Sequence, residues 1–118
     1  MIYTEIITNP LIRVIDIDAI TSLARQQEIF VVVDSTFTTP FGIQPLEHGA
    51  DIVIHSMTKY FGGHSDITAG SITGSKELIQ QIYPQYLLFG DCLDPNSSWL
   101  LLRSIRTMEM RVHRQFSN

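Results

Sequence analysis

Ile29-Phe30-Val31-Val32-Val33 is the segment that most restricts the possible folds. Five apolar residues in a row, rich in β-branching and without polar alternation, describe a strand buried on both faces, the habit of parallel sheets. Ile52-Val53-Ile54, entered from Asp51, repeats the pattern in shorter form. Parallel neighbours need a crossover, and the chain supplies helical punctuation before and after these runs. Asp16 suits an N-cap, with Ile17, Ile20 and Ala24 following at helical spacing. Ser75 suits a second cap, for a helix expected to run to about Tyr83 and to stop at Pro84. The expected class is α/β, with a mostly parallel sheet flanked by helices.

The remaining segments are read the same way. Ile2–Ile7 is expected as a strand closed by Asn9-Pro10, and Ile67–Thr73 as a weaker strand interrupted by Gly70. Pro40, Gly42 and Pro45 punctuate the chain, with room for one helical turn at Pro45–His48, and Gly62-Gly63 marks a turn. A last helix carries Leu101, Ile105, Met108, Val112 and Phe116 on one face. Arg103, Arg106, Arg111 and Arg114 fall on the other, where they are expected in solvent or packed against further parts of the protein. With Glu109 they give this end a net +3 in a chain of net charge −4, too weak an electrostatic footprint for a nucleic-acid binder. No apolar run approaches the roughly 20 residues that span a bilayer, and Met1-Ile2-Tyr3-Thr4-Glu5 has no leader-like start. With a single cysteine, Cys92, these features lead to the expectation of a cytoplasmic protein without membrane or nucleic-acid partners.

Ligands of open parallel sheets bind beyond the carboxyl ends of the strands. Three expected strands deliver polar residues there: Asn9, then Asp34-Ser35-Thr36, then Ser56-Met57-Thr58-Lys59. One amine, one carboxylate and several hydroxyls at one rim suit a ligand that carries a carbonyl, a basic ring nitrogen and an anion. Pyridoxal phosphate has those three groups. Each residue also has a plainer reading. A lysine after a strand is usually solvated, an aspartate there often opens a turn, and Ser56 and Thr58 could be turn hydroxyls. His48, His55, His64 and Cys92 match no zinc spacing, so no metal site is expected. Gly70–Lys76 fails the P-loop template, and Gly63–Asp66 lacks the second glycine of a nucleophile elbow.

Three segments carry a resemblance that the plain readings do not explain. They are Val33-Asp34-Ser35-Thr36-Phe37, the run from Ala50 through Ser56-Met57-Thr58-Lys59-Tyr60-Phe61-Gly62-Gly63-His64-Ser65-Asp66, and Trp99–Thr107. Together they resemble the Cys/Met-metabolism family of pyridoxal-phosphate enzymes, which includes cystathionine synthases and lyases, methionine γ-lyase and O-acylhomoserine sulfhydrylases. The resemblance implies part of the large cofactor domain of a fold-type I pyridoxal-phosphate-dependent transferase, spanning residues 1–118 as a partial domain. It implies Lys59 as the catalytic lysine that binds the cofactor covalently and shuttles the proton. Asp34 is placed on the ring nitrogen, Ser56 and Thr58 at the phosphate, Thr36 in support of the ring, and Asn9 near the cofactor's phenolic oxygen. His64, Ser65 and Asp66 are implied as outer support.

The implied activity is elimination or replacement at Cβ or Cγ of cystathionine, methionine, homocysteine or O-acylhomoserine, with a homo-oligomer as the assembled enzyme. One departure stands out: Glu5-Ile6-Ile7 replaces the family's usual Glu-Thr-Pro or Glu-Ser-Pro before the Asn9 turn. The family's upstream phosphate loop, its stacking tyrosine and its substrate-carboxylate arginine have no counterpart in these residues. A reading from another class therefore stands beside the enzyme: a catalytically inert truncated product, or an interaction module that needs the rest of the enzyme. An open sheet edge with an uncovered apolar face is expected to favour self-association.

Overall fold

The computed structural model describes residues 1–118. Four strands, β1 (Ile2–Glu5), β2 (Val31–Asp34), β3 (Ile52–Ser56) and β4 (Gly70–Gly74), lie in the order β1-β2-β3-β4. The first two pairings are parallel and β3–β4 is antiparallel. The apolar runs therefore form the two central strands, and Val31, Val32 and Val33 are all buried. β1 ends at Glu5, two residues short of the expected strand, because Ile7 leaves the β2 ladder to bridge Val14 across the Asn9-Pro10 turn. The peptide bond at that turn is cis.

Helix α1 (Ile17–Gln26) starts as expected, with Asp16 accepting from the Ala19 N–H at 3.0 Å. Its inner face places Ile17 and Ala24 against Val31, Val33, Ile6 and Ala50, which form the core. Burying each of the larger side chains contributes about 1.5–3 kcal/mol before chain entropy is counted. Side chains close the two ends of the β2–β3 pairing. At the start, Asp51 Oδ2 accepts from the Val31 N–H at 2.7 Å. At the end, Ser35 N–H donates to Ile54 O at 3.0 Å, and the next N–H along, that of Ser56, donates to Thr36 Oγ1 at 2.8 Å.

Helices α2 (Thr39–Gly42), α3 (Lys76–Phe89), α4 (Pro95–Ile105) and α5 (Met108–Phe116) complete the chain. They depart from expectation in three ways. Pro40 does not merely break the chain but sits in the first turn of α2, where its missing N–H has no intrahelical role. Pro84 does not stop α3, which runs on to Phe89 and ends at Gly90 in the left-handed region. With its amide oriented to donate, the Gln85 side chain reaches Gln81 O at 2.8 Å and Ile82 O at 3.1 Å, while Gln80 O, four residues before Pro84, is the carbonyl that loses its helix bond.

The single last helix is two. Ser104 O is taken by Thr107 N–H, by Thr107 Oγ1 and by the Arg111 guanidinium, so side chains compete for the carbonyl that would continue the helix. Of the expected apolar stripe, Leu101, Met108 and Val112 are buried whereas Ile105 and Phe116 remain exposed. α5 rests on α2, with Phe116 close to Gly42. No helix is long and apolar enough to cross a membrane.

Candidate active site at the carboxyl ends of the strands

The carboxyl ends of β1, β2 and β3 open into a concavity of about 700 Å³, within the 300–1,000 Å³ usual for small-molecule sites. Asn9, Asp34, Thr36, Ser56, Thr58 and Lys59 all line it. The register explains the convergence. Asp34 pairs with Glu5 on one side and Ile54 on the other, so Glu5, Asp34 and Ser56 share one face of the sheet.

Asp34 is held from two sides. The Thr36 backbone N–H donates to Oδ1 at 2.9 Å, an aspartate turn that follows from the chain leaving β2. Tyr3 OH donates to Oδ2 at 3.3 Å, a long bond that leaves this oxygen free to accept from a ligand. Partial burial, then the charge and hydrogen bond of Asp34 and the charge of Glu5, push the Tyr3 phenol above its ordinary 10.0.

Lys59 follows Ser56 in a tight turn, where its N–H donates to Ser56 O at 3.2 Å and its carbonyl accepts from Gly63 N–H at 2.7 Å. The side chain is exposed and forms no ion pair; the two contacts of that kind are His48–Asp18 and His113–Glu109. Its amine is thus unengaged in a cavity that also presents a carboxylate. The Ser56 hydroxyl has no partner within the chain, although its backbone N–H is tied to Thr36. Thr58 Oγ1 accepts from Ala69 N–H at 3.0 Å and donates to Ala69 O at 3.3 Å. To donate to an anion, Thr58 must release that long second bond, so Ser56 is the readier hydroxyl.

Asn9 is exposed on its turn, and its N–H donates to Glu5 Oε2 at 2.9 Å. Glu5 thus anchors the approach to Asn9 even though Ile6 and Ile7 follow it. Ser65 lies on the wall, while His64 turns away to Gly62 O and Ser104. His55 faces the interior, 7% exposed, edge-on to Phe61 at 5.1 Å, with Nδ1 unpartnered. Burial pushes it below its ordinary 6.5, against smaller opposing effects of Asp34 and the Ser35 backbone.

Glu5, Tyr60, Thr68, Arg111 and Gln115 also line the cavity and escape sequence reasoning. Arg111 and Gln115 arrive from α5, the helix that begins after the break at Thr107. The signal available in the sequence was a threonine four residues before an arginine.

A mostly parallel α/β sheet with an amine, a carboxylate and hydroxyls gathered at its carboxyl rim defines an α/β protein with a candidate small-molecule site at the strand ends. The sequence profile of the Cys/Met metabolism PLP-dependent enzymes matches residues 1–118, and the chain belongs to that family. It is 45% identical to cystathionine gamma-lyase of Bacillus subtilis, over 94% of this chain and 30% of the relative. It is likewise 45% identical to cystathionine beta-lyase of Lactococcus lactis, over 99% of this chain and 31% of the relative. Among solved structures, cystathionine gamma synthase from Xanthomonas oryzae pv. oryzae, in complex with aminoacrylate and cysteine, superposes with a TM-score of 0.90 at 37% identity. That match covers 96% of this chain and 30% of the other. Cystathionine gamma-lyase from Lactobacillus plantarum, complexed with L-serine, gives 0.87 at 39%, over 92% and 29%. The chain thus spans under a third of each of these relatives.

Proposed function

We propose that this chain forms the lysine-bearing part of a pyridoxal-phosphate site in a trans-sulfuration enzyme. Such an enzyme eliminates or replaces a group at Cβ or Cγ of cystathionine, methionine, homocysteine or O-acylhomoserine. The observation that supports it is the convergence of Lys59, Asp34 and Ser56 on one concavity, each with unspent bonding capacity. That donor set suits the cofactor: an unpaired amine for an aldehyde, a carboxylate oxygen for a protonated ring nitrogen, and a free hydroxyl for a phosphate.

When bound, pyridoxal phosphate supplies a carbonyl carbon for an amine and a ring that draws electrons from an amino acid's α-carbon. Lys59 Nζ would hold the cofactor through that carbon and, when free, would move a proton to and from the substrate. Asp34 Oδ2 would hold a proton on the ring nitrogen, with the carboxylate oriented by the Thr36 N–H at Oδ1. Ser56 would donate to the phosphate, and Asn9, on the cavity rim, would lie near the cofactor's phenolic oxygen. A positioned proton-transfer group of this kind typically contributes about 10²–10⁴-fold in rate.

The test is incubation with pyridoxal phosphate, borohydride reduction and mass spectrometry, followed by assay with cystathionine and methionine. A reduced adduct on Lys59, lost in Lys59→Ala, is expected; an adduct on Lys76 instead, or none, would refute the assignment. The span of under a third of the relatives supports a second reading, that the chain captures cofactor but needs further chain for turnover. An adduct at Lys59 without turnover is the result that reading expects.

A further inference from the structure

The turn that carries Lys59 leaves three consecutive carbonyls, those of Tyr60, Phe61 and Gly62, without backbone donors. Side chains from elsewhere supply them. Arg111 Nη1 donates to Tyr60 O at 2.9 Å and Nη2 to Phe61 O at 3.4 Å, across about fifty residues of sequence. The same guanidinium donates through Nη2 to Ser104 O at 3.0 Å and through Nε to Thr107 Oγ1 at 3.2 Å. His64 completes the set, with Nδ1 2.7 Å from Gly62 O and 3.1 Å from Ser104 Oγ. A carbonyl only accepts, so Nδ1 carries the proton.

No carboxylate pairs with Arg111, and all three of its nitrogens are spent on neutral oxygens. A planar, permanently charged fork suits this task, because it grips several carbonyls in fixed relative positions. Gly63 makes room for it, and Gly62 lets the turn close on itself. A Cβ on Gly63, which has φ +72°, would lie 2.1 Å from Arg111 Nη1, and one on Gly62 would lie 2.9 Å from Met57 O.

We propose that Arg111 is a positioning residue for Lys59: it ties the lysine's turn to the α4–α5 junction and so sets where the amine enters the cavity. The proposal rests on Lys59 as the cofactor lysine for its consequence, though not for its geometry. In place of a solvated arginine face, one arginine of that helix is structural to the site. The break between α4 and α5 follows from the same bonds, since the Ser104 carbonyl given to Arg111 is the one helix continuation would have used.

Arg111→Ala and Arg111→Lys test this, with Val112→Ala as the control, since Val112 is fully buried on the same helix and makes no bond to the turn. Amide hydrogen exchange is measured first, without cofactor. Both Arg111 variants should speed exchange at Gly62 and Gly63, relative to Val33 and Val53, by on the order of tenfold or more, whereas the control should leave that ratio unchanged. The pyridoxal phosphate concentration for half-maximal borohydride-trapped adduct at Lys59 should rise by about tenfold in Arg111→Ala. Arg111→Lys, which lacks the fork, should recover only part of it.

Unchanged relative exchange in both Arg111 variants, or an equal loss of capture in Val112→Ala, would overturn the proposal. Absence of any adduct in the unaltered chain would instead strike the Lys59 assignment, and exchange alone would then decide whether Arg111 holds the turn. Should Arg111→Ala fail to fold, Arg111→Lys carries both measurements.

Discussion

Thr36→Val isolates the joint between the two strands that deliver the carboxylate and the amine. The Thr36 hydroxyl accepts from the Ser56 N–H at 2.8 Å, at the rung where β2 has already turned away and no ladder carbonyl replaces it. Valine keeps the shape of the side chain and removes the acceptor. The half-buried Ser56 N–H is then left without a protein partner, a loss worth about 1–3 kcal/mol. Against the 5–15 kcal/mol typical of a small domain, that is a readily measured share. Asp34 should keep its own restraint, because its bond comes from the Thr36 backbone. Urea denaturation of the parent, Thr36→Val and Thr36→Ser should show a lowered midpoint at unchanged slope for valine and near-complete recovery for serine. A valine variant within about 0.5 kcal/mol of the parent, well below the unsatisfied-donor cost, would refute the claim that this hydroxyl closes the sheet.

Other outcomes follow from the same structure. His55 is held below its ordinary 6.5 by burial, so the unfolded chain binds the proton first as pH falls. Its contribution to stability is therefore complete above about 6.5, declines as pH drops from there toward the folded value, and levels off below it. His55→Phe should flatten that dependence in denaturation curves between pH 5 and 8, and an unchanged slope would exclude His55 as its source. Asp34→Asn should weaken capture of pyridoxal phosphate at Lys59 and abolish any turnover, and retention of full turnover would remove Asp34 from the ring nitrogen. Pro84→Ala should slow hydrogen exchange through the middle of α3, because a helix-interior proline costs about 3 kcal/mol relative to alanine; unchanged exchange there would show that the missing bond to Gln80 O does not limit this helix. β1 and β4 are edge strands, and Leu88 and Phe89 stand exposed on α3, so the chain should elute with a concentration-dependent apparent mass; a monomer at every concentration would count against this.

What could be read from the residues alone was whatever depends on short-range chemistry. Val31–Val33 and Ile52–Ile54 announced two-sided burial, and Asp16 and Ser75 announced helix starts through the bonds they make three residues on. Once the parallel strands were recognised, Asp34, Ser56 and Lys59 had to meet at one rim, since parallel strands present all their carboxyl ends on the same side. The Ser-Met-Thr-Lys segment with its Gly-Gly turn named the chemistry for which such a rim is suited.

Local rules failed where an element's course rested on more than its own residue preferences. Pro84 reads as a stop, yet α3 runs on to Phe89, and the last helix reads as continuous only until Arg111 takes the Ser104 carbonyl. Arg111 and Gln115 became part of the cavity with α5 packed onto α2, a contact between segments about seventy residues apart, while Glu5 joined it through the β1–β2 register. Periodicity reports which face of a helix is apolar. It does not report which charged residue on the other face will bend inward, because that choice depends on which backbone carbonyls the tertiary fold leaves without donors.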